Sequence, residues 1–190
     1  MEGKSKYLSW VLRHGLIQLG LTPDSDGYVK LLDLLKVSNG KLSESEVQEL
    51  VKNCSKQRFA IKTQDDELFI RANQGHSKKI GDFLTDESED LFVKLDTPLE
   101  GVFHGSYVKH LDSIKTSGLN RMSRKHIHLA KSLDAKSGKR NNCNLIVYVN
   151  MDDAMKDGII FYESVNGVIL TEGIDGIIPS KYLSFKTLPI

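Results

Sequence analysis

Between residues 5 and 19 the apolar side chains Leu8, Val11, Leu12 and Leu19 recur at helical spacing, and Gly20 supplies a stop. A turn of Asp24, Ser25, Asp26 and Gly27 follows, after which Leu31, Leu32, Leu34 and Leu35 predict a second short helix ending near Gly40. Ser43 stands three residues before Glu46, the spacing of a capping box, and Val47, Leu50, Val51 and Cys54 form the apolar stripe of a third helix. Two short apolar runs, Phe59-Ala60-Ile61 and Leu68-Phe69-Ile70, are joined through Gln64, Asp65 and Asp66 and predict a β-hairpin. Three helices followed by a hairpin predict a winged helix over residues 1–95. Such modules often bind nucleic acid, but many only mediate protein contacts.

The composition turns acidic between residues 78 and 97, with Asp82, Asp86, Glu87, Glu89 and Asp90, before Pro98. A domain boundary is expected here. Beyond it, apolar runs predict strands at 102–104, 126–129, 145–149, 159–162, 168–171 and 182–185. Between them only short helices fit, at 108–116 with Gly118 as its stop and at 132–136. Residues 96–190 therefore read as a strand-rich domain, and the chain as α+β with two unlike modules. A ligand held between them would be reached by Arg13, His14 and Arg71 from one side and by the histidines and Arg124 from the other.

Composition narrows the class without naming a function. With 190 residues, 39% hydrophobic and 27% charged, the chain is that of a soluble globular protein, which excludes disorder and collagen-like repeats. No apolar run approaches the ~20 residues that span a bilayer, and the first residues lack the apolar core of a signal peptide. A cytoplasmic location without a membrane partner is expected. Cys54 and Cys143 have neither zinc-ligand nor redox-motif spacing. The net charge of +1 argues against a protein that coats nucleic acid by long-range attraction. Locally, however, Arg121, Arg124, Lys125, Lys131, Lys136, Lys139 and Arg140 face a single acid, Asp134. That cluster suits a phosphate-bearing ligand, and equally a solvated face.

The densest polar chemistry lies behind the second hairpin strand, where Arg71, Asn73, Gln74, His76 and Ser77 surround Gly75. A guanidinium fork suits phosphate, and a glycine lets backbone approach a ligand closely; alone, the same residues also suit a solvated connection. Arg13 and Arg124 lie beside polar residues in the same manner, and each would otherwise be a surface ion-pair partner. His126 and His128 alternate onto one face of a strand, and with His104 or His110 they suggest either a metal site or the wall of a cleft. No carboxylate or cysteine stands at a helpful spacing, so no metal is expected.

Leu12-Arg13-His14, Arg71-Ala72-Asn73-Gln74-Gly75-His76-Ser77, His104-Gly105-Ser106, Arg124 with His128-Leu129, and Asn166-Gly167-Val168-Ile169-Leu170 together resemble the NAD-dependent tRNA 2′-phosphotransferases of the KptA type. The resemblance covers the whole chain. It implies a winged-helix RNA-binding lobe and an ADP-ribosyltransferase-like lobe. NAD would be consumed as co-substrate and RNA bearing an internal 2′-phosphate, tRNA in splicing among them, would be the substrate. It also implies a monomer that needs no metal. Arg13, His14, Arg71 and Arg124 correspond to catalytic positions, and Gln74, His76 and Ser77 to RNA-substrate positions. His104, Gly105, Ser106, His128 and Val168 correspond to NAD-binding positions. Ser106 departs from the family's more common threonine but keeps the hydroxyl. The strand at 166–170 lacks the catalytic glutamate of protein-modifying relatives, which fits a phosphate nucleophile that is already anionic. No Rossmann-type glycine fingerprint is present, so NAD would be gripped in a strand-lined cleft. Two other readings stay open: an ADP-ribosyltransferase that caps terminal phosphates of RNA or DNA, and a noncatalytic winged-helix RNA-binding protein.

Overall fold

The computed structural model describes residues 2–85, 91–138 and 142–189. The acidic residues Asp86, Glu87, Glu89 and Asp90 and the cations Lys139 and Arg140 lie outside the described residues. The chain is α+β and divides into two compact units, Met1–Leu91 and Phe92–Ile190. The division falls four residues ahead of the 95/96 boundary read from the sequence, because Phe92, Val93 and Lys94 pair with Ser164, Glu163 and Tyr162 in the second unit.

In the first unit, helix α1 (Glu2–Trp10) runs on without a break into a π turn, Val11–Gly15, and then a 3₁₀ turn, Ile17–Leu19, which Gly20 ends at φ 74°. The helix predicted over 5–19 is thus three kinds of helix in series. Leu8, Leu12 and Leu16 keep their spacing and are fully buried throughout. A two-residue strand β1 (Val29–Lys30) leads into α2 (Leu31–Val37). Helix α3 (Glu44–Lys52) carries the expected capping box: Ser43 Oγ accepts from the Glu46 N–H, and Glu46 accepts from the Ser43 N–H.

Strands β2 (Phe59–Gln64) and β3 (Glu67–Ala72) form the hairpin. Its two loop residues, Asp65 and Asp66, have φ 50° and 59°, the left-handed pair that matches strand twist. β3 is the central strand, in the order β1-β3-β2, and the sheet packs its Phe59 and Ile70 against Leu12, Leu31, Leu34 and Val47. A short helix α4 (Lys78–Gly81) closes the unit with Ile80 in the same core.

The second unit is built on two antiparallel sheets. One has the order β4-β9-β10-β7, from Phe92–Lys94, Tyr162–Ser164, Ile169–Thr171 and Ile127–Leu129. The other has the order β12-β8-β5, from Leu183–Thr187, Leu145–Val149 and Phe103–Ser106. Among the described residues a single pair joins them edge to edge: Phe103 and Ala130 exchange both backbone hydrogen bonds, at 3.0 and 2.7 Å. Helix α5 (Leu111–Ser117), capped by Gly118 at φ 79°, a two-stranded β6–β11 pair (Leu119–Asn120 with Ile177–Ile178) and helix α6 (Met151–Lys156) complete the unit.

Two expected elements differ. Residues 132–136 form a turn and not a helix; the Ala135 N–H bonds to the Ser132 carbonyl and Ser132 Oγ to Asp134. The strand expected at 159–162 begins only at Tyr162. Ile159 is tied back to the end of α6 through the Ala154 carbonyl, and the Ile160 carbonyl is taken by the Thr171 hydroxyl.

Candidate active site

In the first unit the π turn places Arg13 and His14. A π turn carries an extra residue per turn and is common at functional sites, and here it leaves His14 exposed while Arg13 turns partly inward. Arg13 lies over Gly75. A Cβ at Gly75 would come within 3.1 Å of Arg13 Nε and 3.2 Å of Cζ, and the Gly75 φ of 91° is one that only glycine adopts readily. The next link is also backbone: the Ser77 N–H donates to the Arg13 carbonyl at 2.8 Å.

Arg71, at the end of β3, is 3% exposed. Its guanidinium stacks on the Tyr28 ring at 4.6 Å and donates to the Asp26 carbonyl at 3.2 Å. Lys62 sits over the same ring at 4.1 Å, so Tyr28 carries two cations. Between Asp26 and Tyr28, Gly27 at φ 82° lies beside Leu84, which a Cβ there would meet at 3.2 Å, with His76 Nε2 and Arg71 Cβ at the ordinary contact distances of 3.6 and 3.9 Å. Asn73, 2% exposed, donates its side-chain amide to the Gln57 carbonyl and its backbone N–H to the Arg58 carbonyl, which pins the loop behind Arg71.

Arg13, Arg71, His76 and Ser77 therefore meet in one unit, about Gly27 and Gly75. Gln74 is half-buried in the same loop. Tyr28 did not stand out in the sequence. Tyr28 follows an ordinary turn, and nothing local reveals that Arg71 lies on its ring.

In the second unit, a cavity of about 230 Å³ is lined by His104, Arg121, Arg124, His126 and His128 with Asn120 to Ser123 at its rim. His128 reaches the cavity from β7, and Arg124 and His126 from the segment that leads into it, with Ile127 also in the lining. Arg124 is exposed, whereas His126 and His128 are 4% and 8% exposed. His126 is held by the edges of Phe92 and Tyr162, with centroids at 5.2 and 6.3 Å. Arg121 is committed to structure: its guanidinium donates to the Lys125 carbonyl and to Glu172, and Gly176 packs against its side chain.

His104 does something the sequence did not suggest. Its Nδ1 lies 2.9 Å from the His128 carbonyl. A carbonyl only accepts, so Nδ1 is the donor in this contact. With Phe103 and Ala130 paired, an unbroken antiparallel ladder would next give that carbonyl to the Gly105 N–H. The imidazole takes it instead. It stands as a wedge where β5 and β7 part.

Gly105 and Ser106 are buried on β5, and the Ser106 carbonyl accepts from the Asn144 N–H. Val168 is not among the cavity residues. It is fully buried in the tight turn between β9 and β10, where it exchanges hydrogen bonds with Ser164. Among the described residues, no three His, Cys, Asp or Glu side chains gather as metal ligands, and no helix is long and apolar enough to cross a membrane.

Two sets of cations, one on a buried guanidinium and one beside a histidine-lined cavity, define an anion-handling protein. The family model described as RNA 2′-phosphotransferase, Tpt1 / KptA family, matches residues 2–173, and the chain belongs to that family. The chain is 46% identical to the tRNA 2′-phosphotransferase 1 of Danio rerio, over 97% of this chain and 86% of that protein. It is 40% identical to the protein of the same name in Homo sapiens, over 94% and 72%. A probable RNA 2′-phosphotransferase of Flavobacterium johnsoniae is 35% identical over 96% and 95%.

Proposed function

We propose that the protein is an NAD-dependent RNA 2′-phosphotransferase that removes an internal 2′-phosphate, tRNA being one RNA that carries it. The observation that carries this reading is the buried Arg71 fork on Tyr28, assembled with Arg13 and His76 about two glycines, in a chain of this family. The helices and hairpin of the first unit are read as a winged-helix RNA-binding lobe. The paired sheets of the second are read as an ADP-ribosyltransferase-like lobe that binds NAD. The cavity lined by His104 and the buried His128 supports this reading, with His104 meeting a ribose hydroxyl and His128 flanking nicotinamide.

The chemistry is two displacements. A 2′-phosphate oxygen attacks the ribose carbon that bears nicotinamide, the C–N bond breaks, and nicotinamide leaves with the bonding pair. The adjacent ribose 2″-hydroxyl then attacks the phosphorus. The P–O bond to the RNA breaks, and the RNA 2′-oxygen takes up a proton. The products are 2′-hydroxyl RNA and ADP-ribose 1″,2″-cyclic phosphate. Arg71 and Arg124 hold the phosphate oxygens, where guanidinium contacts stabilise accumulating charge. Arg13 and the exposed His14 serve the second step, in which a hydroxyl proton is lost and an alkoxide gains one. Gln74, His76 and Ser77 meet the flanking nucleotide groups, with Gly105 and Ser106 on the NAD side.

Incubation with a 2′-phosphorylated oligonucleotide, with and without NAD, tests the reading. Loss of the phosphate mass only with NAD, together with free nicotinamide, is expected. An RNA that stops as the ADP-ribosylated adduct, or a terminal phosphate modified in preference to an internal one, would favour the capping activity instead.

A further inference from the structure

The first unit holds a recess that extends beyond the residues assigned to the phosphate chemistry. It is a cleft of about 440 Å³ lined by Ser5, Ser9, Trp10, Arg13, His14 and Arg58, with the Glu2–Lys6 ion pair at its edge. Arg13 and His14, which the π turn presents, line it as well as belonging to the candidate active site.

Trp10, the largest apolar side chain of the unit, is 39% exposed. It is not loose. A Cβ at Gly15 would come within 2.9 to 3.2 Å of three indole carbons, so the absence of a side chain at Gly15 is what lets the ring lie against the π turn. Tyr7 supports it further, nearly parallel, with the centroids 6.1 Å apart. The ring is thus held firmly while it lines the cleft.

Arg58 is fixed in the same way. Its backbone N–H and its guanidinium both lie against Cys54 Sγ, at 3.4 and 3.5 Å, and its carbonyl is clamped by the Asn73 N–H. The Gln57 carbonyl beside it accepts from the Asn73 side chain. Asn73 therefore ties the Arg58 corner to the loop that carries Arg71.

A held indole beside cations is what a single-stranded nucleic acid recognises: the base stacks and the backbone phosphate meets the guanidinium. We propose that this cleft binds a nucleotide flanking the one that bears the 2′-phosphate, its base on Trp10 and its backbone phosphate at Arg58. The recognition is tolerant of base identity, because every base has a face to stack. It rests on the phosphotransferase reading for which RNA is bound, but not for the stacking itself.

Trp10 is the one tryptophan of the chain, so its fluorescence reports the cleft directly. The full chain is titrated with a 2′-phosphorylated trinucleotide and with the same RNA made abasic on both flanking nucleotides. Nicotinamide release is followed in parallel with NAD. The intact RNA is expected to quench the fluorescence and bind about tenfold or more tighter than the abasic-flanked RNA. Trp10→Ala should abolish most of that difference and Trp10→Phe keep most of it. Arg58→Gln should lower the slope of log affinity against log salt by about 0.7, the value for one single-strand phosphate. Equal binding of the two RNAs, or equal weakening of both by Trp10→Ala, would overturn the proposal. Quenching without nicotinamide release would sink the phosphotransferase reading while leaving the cleft assignment standing.

Discussion

The Arg13 guanidinium lies directly over Gly75, so close that a methyl group at Gly75 would come within 3.1 Å of Nε. The glycine is needed twice over, for this approach and for its φ of 91°. Gly75→Ala is expected to cost about 1 to 3 kcal/mol of stability from backbone strain. Because the displaced group is Arg13, 2′-phosphate removal should fall further than the lost folded fraction explains. Thermal melts beside single-turnover assays check this; a variant with normal turnover per folded molecule would remove Arg13 from the chemistry.

Arg71 and Arg124 should separate the two chemical steps. In the first, the phosphate's own charge drives attack, and a missing guanidinium loosens positioning. In the second, charge accumulates on the oxygens around phosphorus, and guanidinium contacts strengthen in the transition state. Arg124→Ala should therefore accumulate an RNA heavier by one ADP-ribose unit. For buried Arg71 the informative change is Arg71→Lys, which keeps a charge over Tyr28 but loses the fork. Mass spectra showing unmodified substrate and no nicotinamide release would place either arginine in substrate capture or the first step instead.

His104→Ala is expected to weaken use of NAD more than binding of RNA. A lost hydrogen bond of this kind costs about 0.5 to 1.5 kcal/mol, and the KM for NAD should rise accordingly. Parallel titrations with each substrate decide it, and equal losses for both would count against placing NAD at His104.

Stability should carry an acid limb from Asp157. Lys181 and the Tyr182 hydroxyl hydrogen-bond its carboxylate and hold its pKa below the ordinary 3.8. A depressed folded pKa gives stabilisation that is fully present above 3.8 and is lost as pH falls through the lower folded value. Melting temperatures of Asp157→Asn should therefore converge on wild type below pH 3.8; a constant gap across that range would show that the carboxylate's charge is not what matters.

How far the sequence revealed this protein differs by level. The hairpin and α3 were legible because their signals are local: two aspartates at a tight turn, and Ser43 spaced three residues from Glu46. β6 and β11 were not, since two-residue strands such as Leu119–Asn120 have no period to detect. Helix α6 escaped notice because Asp152 and Asp153 dilute its apolar face to Met151 and Ala154. The arginines and histidines of the site stood out by type and motif. Their settings did not, because the pairing of Arg71 with Tyr28 and of His104 with the His128 carbonyl joins positions distant in the chain. The π turn was also silent: Leu8, Val11, Leu12 and Leu19 read as one continuous helix.

The wedge made by His104 means that the opening in the second unit is kept by a side chain and not by the backbone. Among the described residues one pair, Phe103 with Ala130, joins the two sheets edge to edge, and at the next rung the His128 carbonyl meets an imidazole. A shorter residue at position 104 frees the His128 carbonyl for the Gly105 N–H, and the two sheets then have one more rung available to zip together. A residue with a side-chain amide, as in His104→Asn, could still prop the rung open without offering an imidazole. Comparing the two variants by amide hydrogen exchange at Gly105 would tell a doorway that has lost its latch from one that has closed.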